Sequence, residues 1–275
     1  MGIKLPAGLF FLFLSFSLFA QSGLRITFED NNGKLTIIKS EGNVEKLVIP
    51  GSINDKPVVA IGVGAFTNRG LTMVTIPDSV TDIGEGAFSF NELSTLQIGN
   101  GVETIGRKAF FNNKLNDLTL GTGVKSIGMA AFADNELTTV TLPDSLTAIE
   151  SYAFFSNKLK DITIPNNVTT IGEGAFSSNR LFNVVIGSGV TAIGDGAFFN
   201  NQITSIVIPG SLSALGKRVF ESRITQRGSV SPVDYLDEKG DVVLTTANNF
   251  DTYFASTGKK AGKYTFSKDG WTFGE

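Results

Sequence analysis

The chain has 275 residues, a formal net charge of −3 and neither Cys nor His. That composition excludes disulfides, thiolate catalysis, cysteine-linked lipid, and the usual triads and metal sites built on imidazole. No block of Lys or Arg offers the charge density that a phosphate backbone attracts, so nucleic acid is not an expected partner.

Residues 1–20 read as an export signal, with Lys4 ahead of an apolar run from Ala7 to Phe19 and Ala20 before a cut at Gln21. The 13-residue run is short of the roughly 20 residues that a membrane-spanning helix needs. No later stretch reaches spanning length, so the expected protein has no membrane span after signal removal. It is secreted, periplasmic or held at the cell surface. Residues 21–43 are expected to form an N-terminal β cap. Within them, SGLRITFEDNNGKLTIIKSEGN (22–43) reads as two strands meeting at Asn32-Gly33, a strong hairpin signal. Such a hairpin would cover apolar area that has no preceding repeat.

From residue 44 the chain repeats itself. Units 71–92, 93–114, 115–136, 137–158, 159–180 and 181–202 follow one another at a period of 22 without slippage. A worn unit spans 203–224, and unit 44–70 carries five extra residues between Ile49 and Ile61. Each unit holds two short extended segments. In the first, Val140 and Leu142 bracket Thr141 in the alternation of a half-buried strand. Pro77, Pro143, Pro165 and Pro209 end that segment because proline lacks the N–H for a continuing ladder. Gly84, Gly106, Gly128, Gly172 and Gly194 follow the second segment, where a small residue permits tight curvature or positive φ.

A unit this small cannot bury its own apolar side, so the eight must stack, pairing strands in parallel along a rod of roughly 35–40 Å. The expected fold class is a β-rich solenoid, residues 44–224. Phe66, Phe88, Phe110, Phe132, Phe154, Phe176, Phe198 and Phe220 fall in one column, and small residues precede seven of them, as a packed wall requires. Three residues on, Asn91, Asn113, Asn135, Asn157, Asn179 and Asn201 make a second column. A carboxamide there can satisfy loop backbone in both senses, and Asn also tolerates left-handed geometry.

After residue 224 the repeat ends. Residues 225–275 are expected to be a β-rich tail or small module, with a turn at Asp269-Gly270 and a dense set of aromatics that includes Tyr253, Tyr264 and Trp271. These rings are either a small core or a partly exposed binding patch.

The skeleton LxxVTIPxxVxxIGxxAFxxN over 44–224 resembles the BspA-like, or treponemal-type, leucine-rich repeats of bacterial surface proteins. LVIPGSINDKPVVAIGVGAF (47–66) resembles the first unit common in that family. The resemblance implies a leucine-rich repeat solenoid, export or surface exposure, and in several members an adhesive role. The chain departs from the common form: the unit is 22 rather than 23 residues, and Asn91 and its equivalents stand where Cys is frequent. The resemblance therefore implies no binding specificity.

No cofactor or metal is expected, and no catalytic residues. Asp78, Asp82 and Glu85 are the densest acidic cluster of the repeats, and a carboxylate-dependent hydrolase is a remote alternative. The favoured function is extracellular binding of a protein or glycan, with adhesion as its setting. The other reading is a structural envelope protein without a discrete ligand. The candidate binding residues are Asp117, Thr139, Asp161 and Asn183 on the first strands, with Tyr253, Tyr264 and Trp271 in the tail. The sequence leaves the oligomeric state open. Within the array, Phe132→Ala or Phe154→Ala is expected to cost about 3–5 kcal/mol through lost burial and a cavity. Phe220→Ala, at the worn end, is expected to cost less. Denaturant titration checks both.

Overall fold

The computed structural model describes residues 24–221, 235–236, 242–243, 258, 261–267 and 270–274. The expected export signal, residues 1–20, and Tyr253 lie outside these residues. The fold is a β-rich solenoid of stacked parallel strands. Each of the eight coils contributes a front strand, from Lys46–Val48 to Ser205–Ile208, and a back strand, from Lys56–Ile61 to Ala214–Leu215. The register advances by one repeat per coil, so Ile83 lies beside Ile105, Ile105 beside Ile127, and Ile127 beside Ile149. Like therefore stacks on like.

The two extra strands at the N-terminus turn at Asn32 and Gly33, whose φ values of 55° and 81° suit a tight hairpin. Lys34–Glu41 then pairs in parallel with Lys56–Ile61 and buries Leu35 and Ile37 on the first coil. The five extra residues of that coil close a small antiparallel turn between Ser52–Ile53 and Lys56–Pro57. At the other end, Gly262–Ser267 pairs antiparallel with Ser205–Ile208, and Gly270–Gly274 pairs with Gly262–Ser267.

The Phe column forms the centre of the core. All seven consecutive pairs from Phe66 to Phe220 are stacked, with ring centroids 5.2 to 5.5 Å apart and interplanar angles of 2° to 11°. Centroids farther apart than the strand spacing of about 4.8 Å mean that the near-parallel rings are offset, the arrangement that the aromatic quadrupole favours.

The Asn column ties the coils together. Asn135 Nδ2 donates to Phe132 O of its own coil at 3.2 Å and to Phe110 O of the preceding coil at 3.0 Å. Its Oδ1 accepts from Leu115 N–H at 3.1 Å. Asn91, Asn113, Asn157, Asn179 and Asn201 repeat this pattern. The first coil has no coil before it, and Arg69 stands at the Asn position. Its guanidinium instead reaches the cap, donating to Ser40 Oγ at 3.2 Å and Ser40 O at 2.8 Å. Buried Ser40 donates in turn to Ala65 O at 2.6 Å.

Two backbone expectations differ from the structure. The Gly after each second segment does not adopt positive φ; a Cβ on Gly106 would lie 2.8 Å from Gly84 C and Ile83 O. These glycines let one coil's backbone approach the next. Nor does the Asn column use left-handed geometry. That conformation falls on the preceding residue, including Phe90, Asn112, Asp134 and Ser178, and so leaves each carboxamide aimed inward.

Asn135→Ala leaves Leu115 N–H buried without its acceptor and is expected to cost about 1–3 kcal/mol. Asn135→Asp keeps that acceptor but sets a carboxylate against two carbonyl oxygens, which raises the folded-state pKa above the unfolded one. Its stability should thus be greatest in acid and be lost as pH rises through the folded pKa. Thermal melts across pH 4–8, flat for the parent relative to the variant, check this.

Candidate binding face

The front strands present an outward surface of short polar side chains. Thr95, Asp117, Thr139, Asp161 and Asn183 are exposed along one column, and Gln97, Thr119, Thr141, Thr163 and Val185 along the next. The back sheet runs without a break from the N-terminal hairpin to Ala214–Leu215. The front sheet does not. It divides between Thr95–Ile98 and Asp117–Thr119, and again between Thr139–Thr141 and Asp161–Thr163.

Both divisions fall immediately before a strand that starts with Asp. Where this position is Met73, Thr95, Thr139, Asn183 or Ser205, the strand pairs with the coil before it. Asp is a poor strand former, and each carboxylate here is held by the coil that follows. Thr139 Oγ1 donates to Asp117 Oδ1 at 2.7 Å, and Asn183 Nδ2 donates to Asp161 Oδ1 at 2.6 Å. The backbone records the division. Thr138 N–H donates to Asn116 O at 2.8 Å and Phe182 N–H to Lys160 O at 2.7 Å, but Lys160 N–H, at the same place in its coil, has no backbone acceptor among the described residues.

The second division opens a cleft of about 570 Å³, within the roughly 300–1,000 Å³ range of ligand pockets. Residues 138–142 with Asp144 form one wall, and residues 160–163 with Pro165 the other. Val140 and Leu142 are only partly buried in it, whereas Leu118 and Ile162, which flank Val140 in its column, are 2% and 4% exposed. The break thus bares a strip of core.

Charge elsewhere is largely spent along the rod. Lys114 pairs with Glu92, Lys125 with Glu103 at 2.8 Å, and Lys158 with Glu136 at 2.7 Å. The hydrogen bond from Lys158 holds the Glu136 carboxyl below the usual carboxylate range. Asp78 Oδ1 accepts from Asn100 N–H at 2.6 Å, Asp82 from Thr81 Oγ1 at 2.7 Å, and Glu85 faces Arg107 at 3.8 Å. These carboxylates serve adjoining residues and coils. Among the described residues no group of three or more Asp or Glu is placed to hold a metal ion, and no helix is long and apolar enough to cross a membrane.

Six copies of the BspA-type leucine-rich repeat region match residues 39–120 and 103–226. The chain belongs to the BspA-type leucine-rich repeat family. Its fold is similar to that of the pneumococcal vaccine antigen PcpA, with a TM-score of 0.51 and 17% identity over 72% of this chain and 77% of that one. A leucine-rich cell surface protein from Faecalibacterium prausnitzii has a TM-score of 0.44 and 25% identity over 70% of this chain and 74% of its own. A leucine-rich repeat protein from Treponema pallidum has a TM-score of 0.43 and 25% identity over 70% and 78%. No curated protein matches the chain.

In this BspA-type array, Asp117 bonds to Thr139 and Asp161 to Asn183, one pair on each side of the cleft. Tyr264 and Trp271 lie elsewhere. Tyr264 is wholly buried, opposite Ile206, with its ring 5.1 Å from that of Phe273. Of the two readings of this ring, core or binding patch, its burial matches the core: the hairpin that extends the front sheet covers the open end of the array, and Tyr264 lies beneath it. Trp271 lies on the outer strand of that hairpin, paired with Phe266.

A second exposed feature escaped the sequence reading. Phe90 is 50% and Tyr152 37% exposed on the turn edge beyond the Phe core, set edge-on to Phe111 and Phe155. Lys108 Nζ lies 5.4 Å above Phe111, and Arg218 lies 4.9 Å above Phe199. The signal was the Phe-Phe doublet of every second unit, at 110–111, 154–155 and 198–199, alternating with Phe-Ser or Phe-Ala. Tyr264→Ala should lower stability toward the low end of about 3–5 kcal/mol and broaden the unfolding transition. Calorimetry of residues 21–275 checks this.

Proposed function

We propose that this is an exported, non-catalytic binding protein that recognises an extracellular protein or glycan through the front face of the solenoid, in an adhesive setting. The observation that carries this reading is the front face itself: regular, exposed, lined by short polar side chains with few charges, and interrupted at a cleft with partly bared apolar side chains. A solenoid's extended face suits recognition because stacking already orders its backbone, so little entropy is lost on binding. The family membership and the export signal at residues 1–20 support an outside role. Residues 21–43 act as the cap of the array, 44–224 as the recognition module and 225–275 as its closing segment.

The experiment is capture of partners by residues 21–275 from arrays of matrix proteins, bacterial surface proteins and glycans. It is followed by Thr95→Arg/Val185→Arg on the front face and Phe90→Ser/Tyr152→Ser on the turn edge. The front-face pair should reduce binding at least about ten-fold, equivalent to 1.4 kcal/mol, while the turn-edge pair leaves it unchanged. The opposite pattern moves recognition to the aromatic edge and overturns the proposal.

A further inference from the structure

We infer that the N-terminal cap joins two copies of this chain. The open edge of Arg25–Asn31 pairs antiparallel with the same strand of a second copy, about a two-fold axis at Thr27. The inference stands on the cap alone and does not depend on the front face as the binding surface.

An unpaired sheet edge is a template for another chain, and short edge strands are one common protection against it. The array follows that rule at Lys46–Val48 and Ala214–Leu215, edges of three and two residues. The back sheet begins differently. Arg25–Asn31 has seven residues, against five in the edge strand Gly270–Gly274. It pairs with Lys34–Glu41 on one side and with no strand of the described residues on the other. The irregularity of this hairpin lies on the inner strand, where Ile38 is passed over between Ile37 and Lys39, so the outer edge runs without a bulge. The two-residue turn makes Asn31 and Lys34 a hydrogen-bonded pair. Counting back from Asn31, the backbone N–H and C=O of Phe28 and Ile26 therefore face outward.

The strand is complementary to itself. Antiparallel pairing about Thr27 sets Arg25 opposite Glu29 of the second copy and Ile26 opposite its Phe28, each match occurring twice. Ile26 and Phe28 form the hydrogen-bonded pairs, and both side chains are only partly buried on the core, so each gains an apolar neighbour. Arg25 and Glu29 are exposed, and neither makes an ion pair among the described residues. Asp30, the remaining charge of the strand, is already held by Lys56. Neighbouring registers lose the match. An axis at Ile26 sets Arg25 against Thr27, and an axis at Phe28 sets Ile26 against Asp30. The axis through Thr27 runs perpendicular to the sheet, so the two back sheets become one and both front faces lie on the same side of the joint. Two such faces on one body would engage a repetitive surface together and add avidity without any new contact.

The experiment is sedimentation velocity on residues 21–275 over about 1–100 μM. The parent should form an elongated dimer within this range. Arg25→Glu or Glu29→Arg alone sets like charges across both pairs and should raise the dissociation constant at least about ten-fold. The double variant Arg25→Glu/Glu29→Arg restores opposite charges and should recover the dimer. Cross-linking gives a second readout, because the chain has no Cys of its own. Thr27→Cys places one thiol on the axis, opposite its copy, and mild oxidation should convert the protein to a disulfide-linked dimer. Glu29→Cys places the thiol opposite Arg25 and should stay uncross-linked. A monomer over the whole concentration range overturns the proposal. So does a dimer that ignores both single charge reversals and cross-links no better at Thr27 than at Glu29, since its interface then lies elsewhere. If the charge variants do not fold by circular dichroism, the two cysteine variants decide. A monomeric parent that still captures its partner leaves the front-face reading standing and removes only the dimer.

Discussion

The structure depends on a carboxamide buried between successive coils. A short coil leaves several backbone groups without a partner where it turns, and each such group costs free energy if buried unpaired. Asn91 and its five equivalents meet donors and acceptors of two coils at once, so that closing one turn also docks it on its neighbour. With the carboxamides setting the height of each coil, the Phe rings fall at 5.2 to 5.5 Å and the back strands pair in unbroken register.

That division of labour explains why the two faces differ. The back sheet lies close to the glycines that let backbone approach backbone, and a single unpaired coil there would disturb the Phe stack and the Asn bonds together. The front strand follows a longer loop and is held by its ladder, its inward side chains and a few outward side-chain bonds to the next coil. It can lose pairing at Asp117 and Asp161 while Phe110, Phe132, Phe154 and Phe176 remain stacked. A solenoid can thus carry a local opening on one face without unwinding, which is what a binding cleft in a repeat array requires.

The ends use the same devices with different residues. Arg69 replaces the carboxamide because it must span to Ser40 on the cap rather than to a preceding loop. Tyr264 closes the opposite end with an aromatic side chain laid over the last front strand. An array without these covers would expose apolar area and a free sheet edge, both of which invite association. The aromatics of the turn edge are different in kind. Phe90 and Tyr152 stand outside the column of stacked core rings, and the cations of Lys108 and Arg218 sit over Phe111 and Phe199.

The sequence by itself determined the solenoid: a strict period places each residue type over its like, and only stacking can bury so small a unit. The Phe and Asn columns were legible for that reason, since periodicity carries directly into geometry. Tertiary structure alone decided how the columns act. Positive φ belongs to the residue before each Asn, and the glycines serve the gap between coils, because both depend on how far one backbone stands from the next. Asp117 and Asp161 look in sequence like ordinary polar members of a strand column. Their carboxylates bond to Thr139 and Asn183, and those contacts lie one full coil away. Tyr264 likewise reads as one ring in an aromatic tail; its burial follows from the strand it pairs with, a long-range choice that no local pattern encodes.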